Sequence, residues 1–193
     1  MQILNRRVRW GSHKHEPHWF DLARVDVIPA DLQEWLLTKD SLTQKVISRC
    51  KGRFHLEIIQ HGRVRPQLNE RRLLMMSDTE MALRREVVLC CDKTPLIFAR
   101  TIIPGTTLRG AGLRLARLGR KPLGDLLFRD HSVLRSDLQV TCMDAKNALF
   151  DGLRIKTKAK ANKQNVWGRR SVFFYANEPL LVSEMFLPAI RSL

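Results

Sequence analysis

The sequence predicts an α+β fold, in which a single domain spanning residues 1–193 is built around an antiparallel β-sheet. Three observations support this prediction. Alternating stretches outnumber helical ones, several alternating stretches are joined in pairs by short turns, and no internal repeat or domain boundary interrupts the chain. A chain of this length can bury a substantial core.

The chain begins with a basic arm, residues 1–28. Its histidines at 13, 15 and 18 superficially look like a metal-binding tract, but they lack a helical or tetrahedral ligand pattern. A surface arm is therefore the preferred interpretation, and no metal site is predicted. No apolar signal-peptide core follows the basic start, so secretion is not indicated.

Two helices and a strand hairpin are predicted next. An apolar stripe within 29–36 indicates the first helix, and a capping residue at 40–41 starts the second. Residues 53–60 alternate as a strand, which is expected to turn and return within 61–68. The sequence at 77–80 has the form of a capping box and predicts a further short helix.

Residues 84–91 and 95–104 are two strongly patterned strands separated by a short hairpin connection. Each carries an arginine on an apolar face, Arg85 in the first strand and Arg100 in the second. A buried charge is costly unless it has a partner. Each arginine is therefore expected to reach solvent at a strand end, to form a structural ion pair, or to contact a ligand.

The next part of the chain predicts shorter elements. Residues 108–118 are predicted to form an arginine-rich amphipathic helix, 121–128 a short helix and 133–140 a strand. The regular pattern then lapses in a basic segment, residues 144–165, which contains few large hydrophobic residues. This segment is interpreted as a basic loop or long hairpin.

The C-terminal hairpin is expected to pair a strand at 171–176 with one at 180–187. Alternation places Glu184 on an otherwise apolar face of the second strand. Such a carboxylate should meet a cation, donate as a neutral acid, or contact a ligand. Since Arg85 and Arg100 also lie on apolar faces of other strands, the three charges are predicted to converge in one site.

The formal net charge of +15 favours anionic partners, although a solvated basic surface explains it equally well. Two arginines follow Trp167, but stacking aromatic residues are not interleaved through the basic strands, which disfavours nucleic acid as the partner. No apolar run is long enough to span a bilayer. Phosphate-binding glycine loops, dinucleotide fingerprints and nucleophile elbows are also absent from the sequence.

The four cysteines are Cys50, Cys90, Cys91 and Cys142, and none has the paired spacing of a zinc site. Cys90 and Cys91 should point to opposite faces of a strand, which suits packing better than a disulfide. A reducing cytoplasm is therefore the predicted compartment.

The order of these motifs resembles the bacterial chorismate lyase family, whose members split chorismate into 4-hydroxybenzoate and pyruvate. The matching segments are 32–43, 83–108, 118–128 and 167–188, of which the last, with WGRRS and PLLVSEMFLP, is the most specific. The resemblance implies a monomeric α+β enzyme in which a closed antiparallel sheet and helices enclose a ligand pocket. It also implies no cofactor, no obligate protein partner and a place at the entry to ubiquinone synthesis.

The resemblance places the family's ligand-binding arginine at Arg85 and its ligand-binding glutamate at Glu184, which are the predicted catalytic pair. Its backbone-contacting leucine falls on Leu123, and Leu42 stands where a methionine is expected. Arg85 is assigned to the ring carboxylate of chorismate, with Arg100 nearby or on the enolpyruvyl carboxylate. Glu184 would then face the ring hydroxyl.

Two other function classes remain open at this stage. The first is a non-enzymatic domain of the same fold that binds a small aromatic carboxylate, as in the effector domains of some transcription regulators. The first 30 residues are too short for the helix-turn-helix that usually precedes such domains. The second is a basic nucleic-acid-binding protein, which predicts salt-dependent binding and no turnover of a small molecule.

Overall fold

An antiparallel β-sheet of eight strands organises the protein in the computed structural model, which describes residues 16–144 and 165–193. The strands are β1 (Phe20–Asp21), β2 (Phe54–Val64), β3 (Ala82–Cys91), β4 (Thr94–Pro104), β5 (Leu134–Arg135), β6 (Gln139–Asp144), β7 (Asn165–Tyr175) and β8 (Glu178–Phe186). Their order in the sheet is β1-β6-β7-β8-β4-β3-β2, and β5 pairs with β7. The predicted α+β class is confirmed.

Short helices cover both faces of this sheet. They are α1 (Ala30–Leu36), α2 (Leu42–Arg49), α3 (Leu68–Leu73), α4 (Leu113–Ala116) and α5 (Leu123–Leu127), with 3₁₀ turns at Leu22–Arg24, Gly110–Gly112 and Pro188–Ser192. In the described part of the chain, none of the helices has both the length and the apolar character needed to cross a membrane.

Two groups of helices pack on the same face of the sheet and leave a space between them. The buried residues of α1 and α2, among them Trp35 and Val46, join Leu89, Ile97 and Phe186 of the strands in one apolar cluster. Buried leucines of α4 and α5 form a second cluster with β4, β7 and β8. The other face of the sheet carries separate apolar clusters and, next to them, α3.

Strand register decides which charged side chains share a face. Arg85 of β3 lies opposite Thr101 of β4, which lies opposite Val182 of β8. One step along the sheet, Ala99 lies opposite Glu184, and Glu184 lies opposite Arg169 of β7. Because directly opposed residues point to the same face, Arg85, Glu184 and Arg169 all project toward the space between the helices.

The hairpin of β7 and β8 is closed by a two-residue turn, Ala176 and Asn177, whose φ angles are 51° and 63°. Left-handed conformation at both central positions is typical of the tight turn that matches strand twist. Gly168 lets the two strands approach, because a Cβ there would collide with Met185 Sδ and lie 3.2 Å from the Glu184 carbonyl oxygen. Both features hold Arg169 in register with Glu184.

Several predicted elements differ from the structure. The strand expected to turn at 61–62 continues to Val64 as one edge strand and is followed by α3 rather than by a second strand. Residues 77–80 form no helix, and the capping box lies instead at Gln67 and Glu70 of α3. For the strand, pairing of β2 along the whole length of β3 decided the outcome.

The predicted N-terminal arm, residues 1–28, is only partly covered, since residues 1–15 lie outside the described residues. Its end is part of the fold: Phe20 and Asp21 pair with β6, and Glu16 accepts hydrogen bonds from Leu68 N and Asn69 N. The predicted basic segment 144–165 also lies outside the described residues, apart from its ends, which pair with each other across β6 and β7.

The prediction that the cysteines are unpaired is wrong. Cys50 at the end of α2 and Cys91 at the end of β3 form a disulfide, with 5.7 Å between their Cα atoms. Cys90 and Cys142 are free and buried. Alternation within a strand separates Cys90 from Cys91, but it carries no information on the helix end that packs beside Cys91.

Candidate active site

The space between the two helical groups is a cavity that encloses about 550 Å³ of empty volume, its opening included. It is bounded by the sheet, by the start of α2 and by α5. Four of the five predicted site residues line it: Leu42, Arg85, Leu123 and Glu184. Most of the other lining residues are apolar, among them Val87, Leu89, Leu127, Phe128 and Phe173.

Arg85 is a buried cation in the wall of this cavity, with a relative exposure of 2%. Its Nη2 donates to the carbonyl oxygens of Gly119 and Lys121, at 3.1 and 2.9 Å. No carboxylate of the described residues lies within salt-bridge distance, and the buried Nε has no hydrogen-bond partner there. Burial accordingly lowers the pKa of Arg85. Such a site is prepared for an anion that none of the described residues supplies.

Glu184 lies further across the same face and is paired with Arg169. The Arg169 Nε donates to Glu184 Oε2 at 2.8 Å, and the two side chains are 1% and 20% exposed. This confirms that the carboxylate on the apolar face meets a cation. The partially exposed carboxylate is held by one oxygen, so that its other oxygen can serve the cavity.

Arg169 is itself fixed by the helix that covers it. Its Nη1 donates to three carbonyl oxygens at the end of α1, those of Trp35, Leu36 and Thr38, the nearest at 2.6 Å. The last carbonyl oxygens of a helix accept no hydrogen bond from within that helix, and they carry partial negative charge. Arg169 therefore positions Glu184 against the first helical group.

Arg135 of β5 lies beside this pair. Its Nε donates to Ser171 Oγ at 3.1 Å, its Nη1 donates to the Lys39 carbonyl oxygen at 3.2 Å, and its guanidinium lies 5.1 Å from the centre of the Phe173 ring. Burial and the neighbouring charge of Arg169 lower the pKa of Arg135 to about 10, while Glu184 opposes that shift. It is a second desolvated cation on this face of the sheet, next to Phe173 of the cavity wall.

Arg100 does not belong to this cavity, and the predicted convergence of three charges is wrong in this respect. Its guanidinium lies on the opposite face of the sheet, where Nε and Nη2 donate to both oxygens of Glu70 at 2.7 and 2.9 Å. Nη1 donates to Glu86 at 2.5 Å. Burial would lower the pKa of Arg100, but these two carboxylates outweigh it and raise the pKa. Alternation on β3 and β4 separates Arg100 from Arg85, because Arg85 pairs with Thr101 instead.

Leu42 and Leu123 are the first residues of α2 and α5, the two helices that meet over the cavity. Ser41, the cap of α2, accepts from Gln44 N through Oγ at 3.4 Å. The N–H of a first helical residue has no acceptor within its own helix. Both leucines therefore bring apolar side chains and unsatisfied backbone donors to the cavity wall.

Both arginines of WGRRS are buried. Arg170 points away from the cavity and donates to Gln139 Oε1 and Asn69 Oδ1 at 2.8 and 2.6 Å, while its guanidinium lies over Trp19. Among the described residues, a group of potential metal ligands (His55, Glu57 and Cys90) lies on edge strand β2 and neighbouring β3. None of its members lines the cavity.

Arg169 and Arg135 were not among the site residues predicted from the sequence. The signal for Arg169 was present in the hairpin: a two-residue turn at 176–177 sets the register that places Arg169 opposite Glu184. The predicted connection at 177–179, between strands at 171–176 and 180–187, gives a different pairing. For Arg135 the only signal was its place in a short alternating stretch, because its partners Lys39 and Ser171 are distant in sequence.

Solved structures show the same fold in other proteins. The effector domain of PhnF from Mycobacterium smegmatis superposes with a TM-score of 0.54 and 13% sequence identity, covering 79% of this chain and 91% of that domain. The ligand-binding domain of a putative GntR-family transcriptional regulator from Bordetella bronchiseptica gives a TM-score of 0.51 at 18% identity, covering 71% and 84%. At these identities the likeness concerns the fold alone.

Sequence comparisons show the family. The chorismate lyase family model matches residues 14–192. A probable chorismate pyruvate-lyase of Aromatoleum aromaticum is 35% identical over 179 residues, covering 93% of this chain and 96% of that protein. Another of Nitrosomonas europaea is 36% identical over 165 residues, covering 86% and 91%. The chain is thus a member of the chorismate lyase family.

Proposed function

We propose that this protein is a chorismate pyruvate-lyase, which eliminates pyruvate from chorismate and releases 4-hydroxybenzoate in the first step of ubiquinone biosynthesis. Family membership supports a lyase that acts on chorismate. We further propose a monomer that needs no cofactor, as the resemblance implies. The cytoplasm stays the proposed compartment, although the disulfide removes the argument from unpaired cysteines.

The observation that carries this proposal is the uncompensated charge of Arg85. A buried arginine without a carboxylate partner is expensive, and the binding of a ligand carboxylate through two parallel hydrogen bonds compensates that cost. Arg85 is assigned to the ring carboxylate, with the backbone N–H of Leu123 as a second donor at the same end. Leu42 contributes to the wall over the ring.

The opposite end of the ring is assigned to Glu184. In the reaction, the C–O bond between the ring and the enolpyruvyl oxygen breaks, and the ring carbon bearing the hydroxyl loses hydrogen. The ring becomes aromatic, and the departing enolpyruvate gains a proton to give pyruvate. Glu184 faces the hydroxyl, where it either moves the proton or orients the group while hydrogen passes within the substrate. Positioning and electrostatic stabilisation supply most of the rate in this scheme.

The strand register supports the placement of Arg85 and Glu184 at the two ends of the substrate ring. Arg85 and Glu184 are two strands apart and two residues apart along the strands, which corresponds to about 12 Å between their Cα atoms. Their side chains can therefore approach a six-membered ring from opposite sides. Ala99 and Thr101 of β4 lie between them, and Val87 and Val182 complete this part of the cavity wall.

A binding domain without catalysis is the second candidate, favoured by the likeness of fold to effector domains of transcription regulators. A nucleic-acid-binding role rests on the net charge alone. Purified protein, mixed with chorismate without added metal or cofactor, tests all three. Equal formation of 4-hydroxybenzoate and pyruvate is the expected result.

The other outcomes of this experiment point to the alternatives. If chorismate persists while 4-hydroxybenzoate binds tightly, the cavity is a receptor site and the protein is not a lyase. If neither compound is recognised, the lyase proposal fails, and salt-dependent binding of nucleic acid becomes the next measurement.

A further inference from the structure

Arg135 lies on the cavity face of the sheet, beyond Glu184 as seen from Arg85, and contacts the cavity through Phe173. The sheet runs β3-β4-β8-β7, with β5 paired to β7, so the two arginines flank Glu184 of β8 from opposite directions. Arg135 is directly opposite Phe173, whose ring lines the cavity and lies under the guanidinium. The Arg135 side chain therefore shares the cavity face of the sheet.

The Arg135 guanidinium has capacity for an anion. Nε and Nη1 are engaged by Ser171 and Lys39, whereas no bond of Nη2 to a described residue is present. No carboxylate of the described residues lies within salt-bridge distance of Arg135. Arg169, the other cation here, is already neutralised by Glu184 and occupied by carbonyl groups.

The charges of the cavity correspond to a dicarboxylate. Three guanidinium groups, those of Arg85, Arg135 and Arg169, project from the cavity face of the sheet together with one carboxylate, that of Glu184, so two positive charges remain among these four groups. Chorismate carries two carboxylates, whereas 4-hydroxybenzoate carries one. The single carboxylate of the product needs Arg85 only.

Substrate chemistry decides which arginine takes which carboxylate. In chorismate, the ring carbon that bears the enolpyruvyl ether is adjacent to the carbon that bears the hydroxyl. If the hydroxyl faces Glu184 and the ring carboxylate faces Arg85, the enolpyruvyl carboxylate lies on the Glu184 side. Arg100 is across the sheet and cannot reach it. We propose that Arg135 binds the enolpyruvyl carboxylate, so that the site discriminates between substrate and product by affinity. This inference rests on the proposed lyase function.

This assignment makes Arg135 a specificity-determining residue. It contributes to the affinity for chorismate and for the departing enolpyruvate, but not to that for 4-hydroxybenzoate. The probes are chorismate in steady-state kinetics, 4-hydroxybenzoate in calorimetry, and the stable dicarboxylate 3-(carboxymethoxy)-4-hydroxybenzoate in calorimetry. The variants are Arg135→Gln and Arg135→Lys. Arg114→Gln, at an exposed position of α4, removes the same charge elsewhere and serves as the control.

For Arg135→Gln we expect kcat/KM for chorismate and affinity for the dicarboxylate to fall about tenfold to a hundredfold, as for one charge-assisted hydrogen-bonded contact. The Kd of 4-hydroxybenzoate should change by less than about threefold. Arg135→Lys keeps the charge without the planar fork and should recover part of the loss. The control should behave as wild type.

Two results overturn the assignment. Unchanged chorismate kinetics in Arg135→Gln would show that Arg135 does not contact the substrate. An equal loss of affinity for 4-hydroxybenzoate and the dicarboxylate would show that Arg135 only supports the loop at Lys39. If Arg135→Gln does not fold, Arg135→Lys decides by the same two comparisons. Failure of the wild type to convert chorismate would instead remove the lyase function itself.

Discussion

The two faces of the sheet treat the same residue type in opposite ways. Arg85 and Arg100 lie on neighbouring strands, and both are buried, at 2% and 6% exposure. Arg100 is enclosed by Glu70 and Glu86, which satisfy all three of its nitrogen atoms. In Arg85, only Nη2 donates to the described residues, to two backbone carbonyl oxygens, and no carboxylate among them pairs with it.

The difference teaches that burial alone does not identify a ligand-binding arginine. The presence or absence of a counter-charge distinguishes a structural arginine from a ligand-binding one. A buried cation that the fold compensates is a structural element, and removal of one partner leaves the other charge stranded. A buried cation that the fold leaves uncompensated costs stability until a ligand arrives, and it is therefore retained for its function.

The helical covers on the two faces are also attached differently. On the face opposite the cavity, Glu70 of α3 reaches the sheet through its ion pair with Arg100. On the cavity face, α2 is connected to the end of β3 through the disulfide of Cys50 and Cys91. The cavity cover thus depends on a covalent link at one end, while its other end, at Leu42, remains a wall of the site.

The largest expected effect on stability comes from the compensated face. Arg100→Met leaves Glu70 and Glu86 buried without their cation, which should cost about 3–5 kcal/mol in the free energy of unfolding. Thermal denaturation should show a fall in Tm of roughly 10 °C or more. The folded fraction should bind 4-hydroxybenzoate as wild type does. An unchanged Tm would show that the ion pairs do not hold α3 to the sheet.

The matched change on the cavity face should have the opposite signature. Arg85→Met should lower kcat/KM by about a hundredfold to a thousandfold, because the ring carboxylate loses its charged partner. Its free energy of unfolding should stay within about 1 kcal/mol of wild type or rise, since an uncompensated cation is replaced by an apolar side chain. Near-normal kcat/KM would remove Arg85 from the site, and a large loss of stability would erase the contrast with Arg100.

Removal of the disulfide tests the attachment of the cavity cover. Cys50→Ser should lower the free energy of unfolding by about 2–4 kcal/mol, the range expected for a link that closes a loop of this size. The reduced wild-type protein should have the same Tm, which shows that the loss of the disulfide, and not the change of side chain, causes the destabilisation. Thiol titration of the unfolded, unreduced protein should give two thiols, Cys90 and Cys142. Four thiols before reduction would contradict the pairing.

In the folded protein, burial raises the pKa of Cys142 to about 11, so alkylation of this thiol at neutral pH should be slow.

Glu184→Gln has the smallest expected effect, because it keeps the shape of the side chain. We expect kcat to fall about a hundredfold while 4-hydroxybenzoate still binds, since an amide can hydrogen-bond the ring hydroxyl but cannot accept the proton that the adjoining ring carbon loses. Glu178→Gln, on the same strand and outside the cavity lining, is the control. A wild-type kcat without pH dependence would argue against proton transfer by Glu184.

Several parts of the site were predictable from the sequence because they depend on local pattern. The stripe of Leu32, Trp35 and Leu36 gave α1, and Ser41 gave the start of α2. Alternation placed Arg85 and Glu184 on apolar strand faces, and the cavity contains both. Their contact with a ligand stays a prediction, as do the roles of Leu42 and Leu123.

Other parts were not predictable, because they depend on which strands become neighbours. Arg100 has the same alternating pattern as Arg85, but the register of β3 against β4 places it on the other face with Glu86. Cys91 looks like a packing residue until α2 ends beside it. Arg169 and Arg135 acquire their roles only through partners on α1, Lys39 and β7.

The sequence by itself determined the α+β class, the strand faces and the family, since these follow from periodicity within a strand or helix and from motif order. Tertiary structure alone decided which buried charges are compensated. The reason is physical: a period-two pattern fixes the side to which a residue points, but the electrostatic cost of a buried charge depends on groups brought to it from distant parts of the chain.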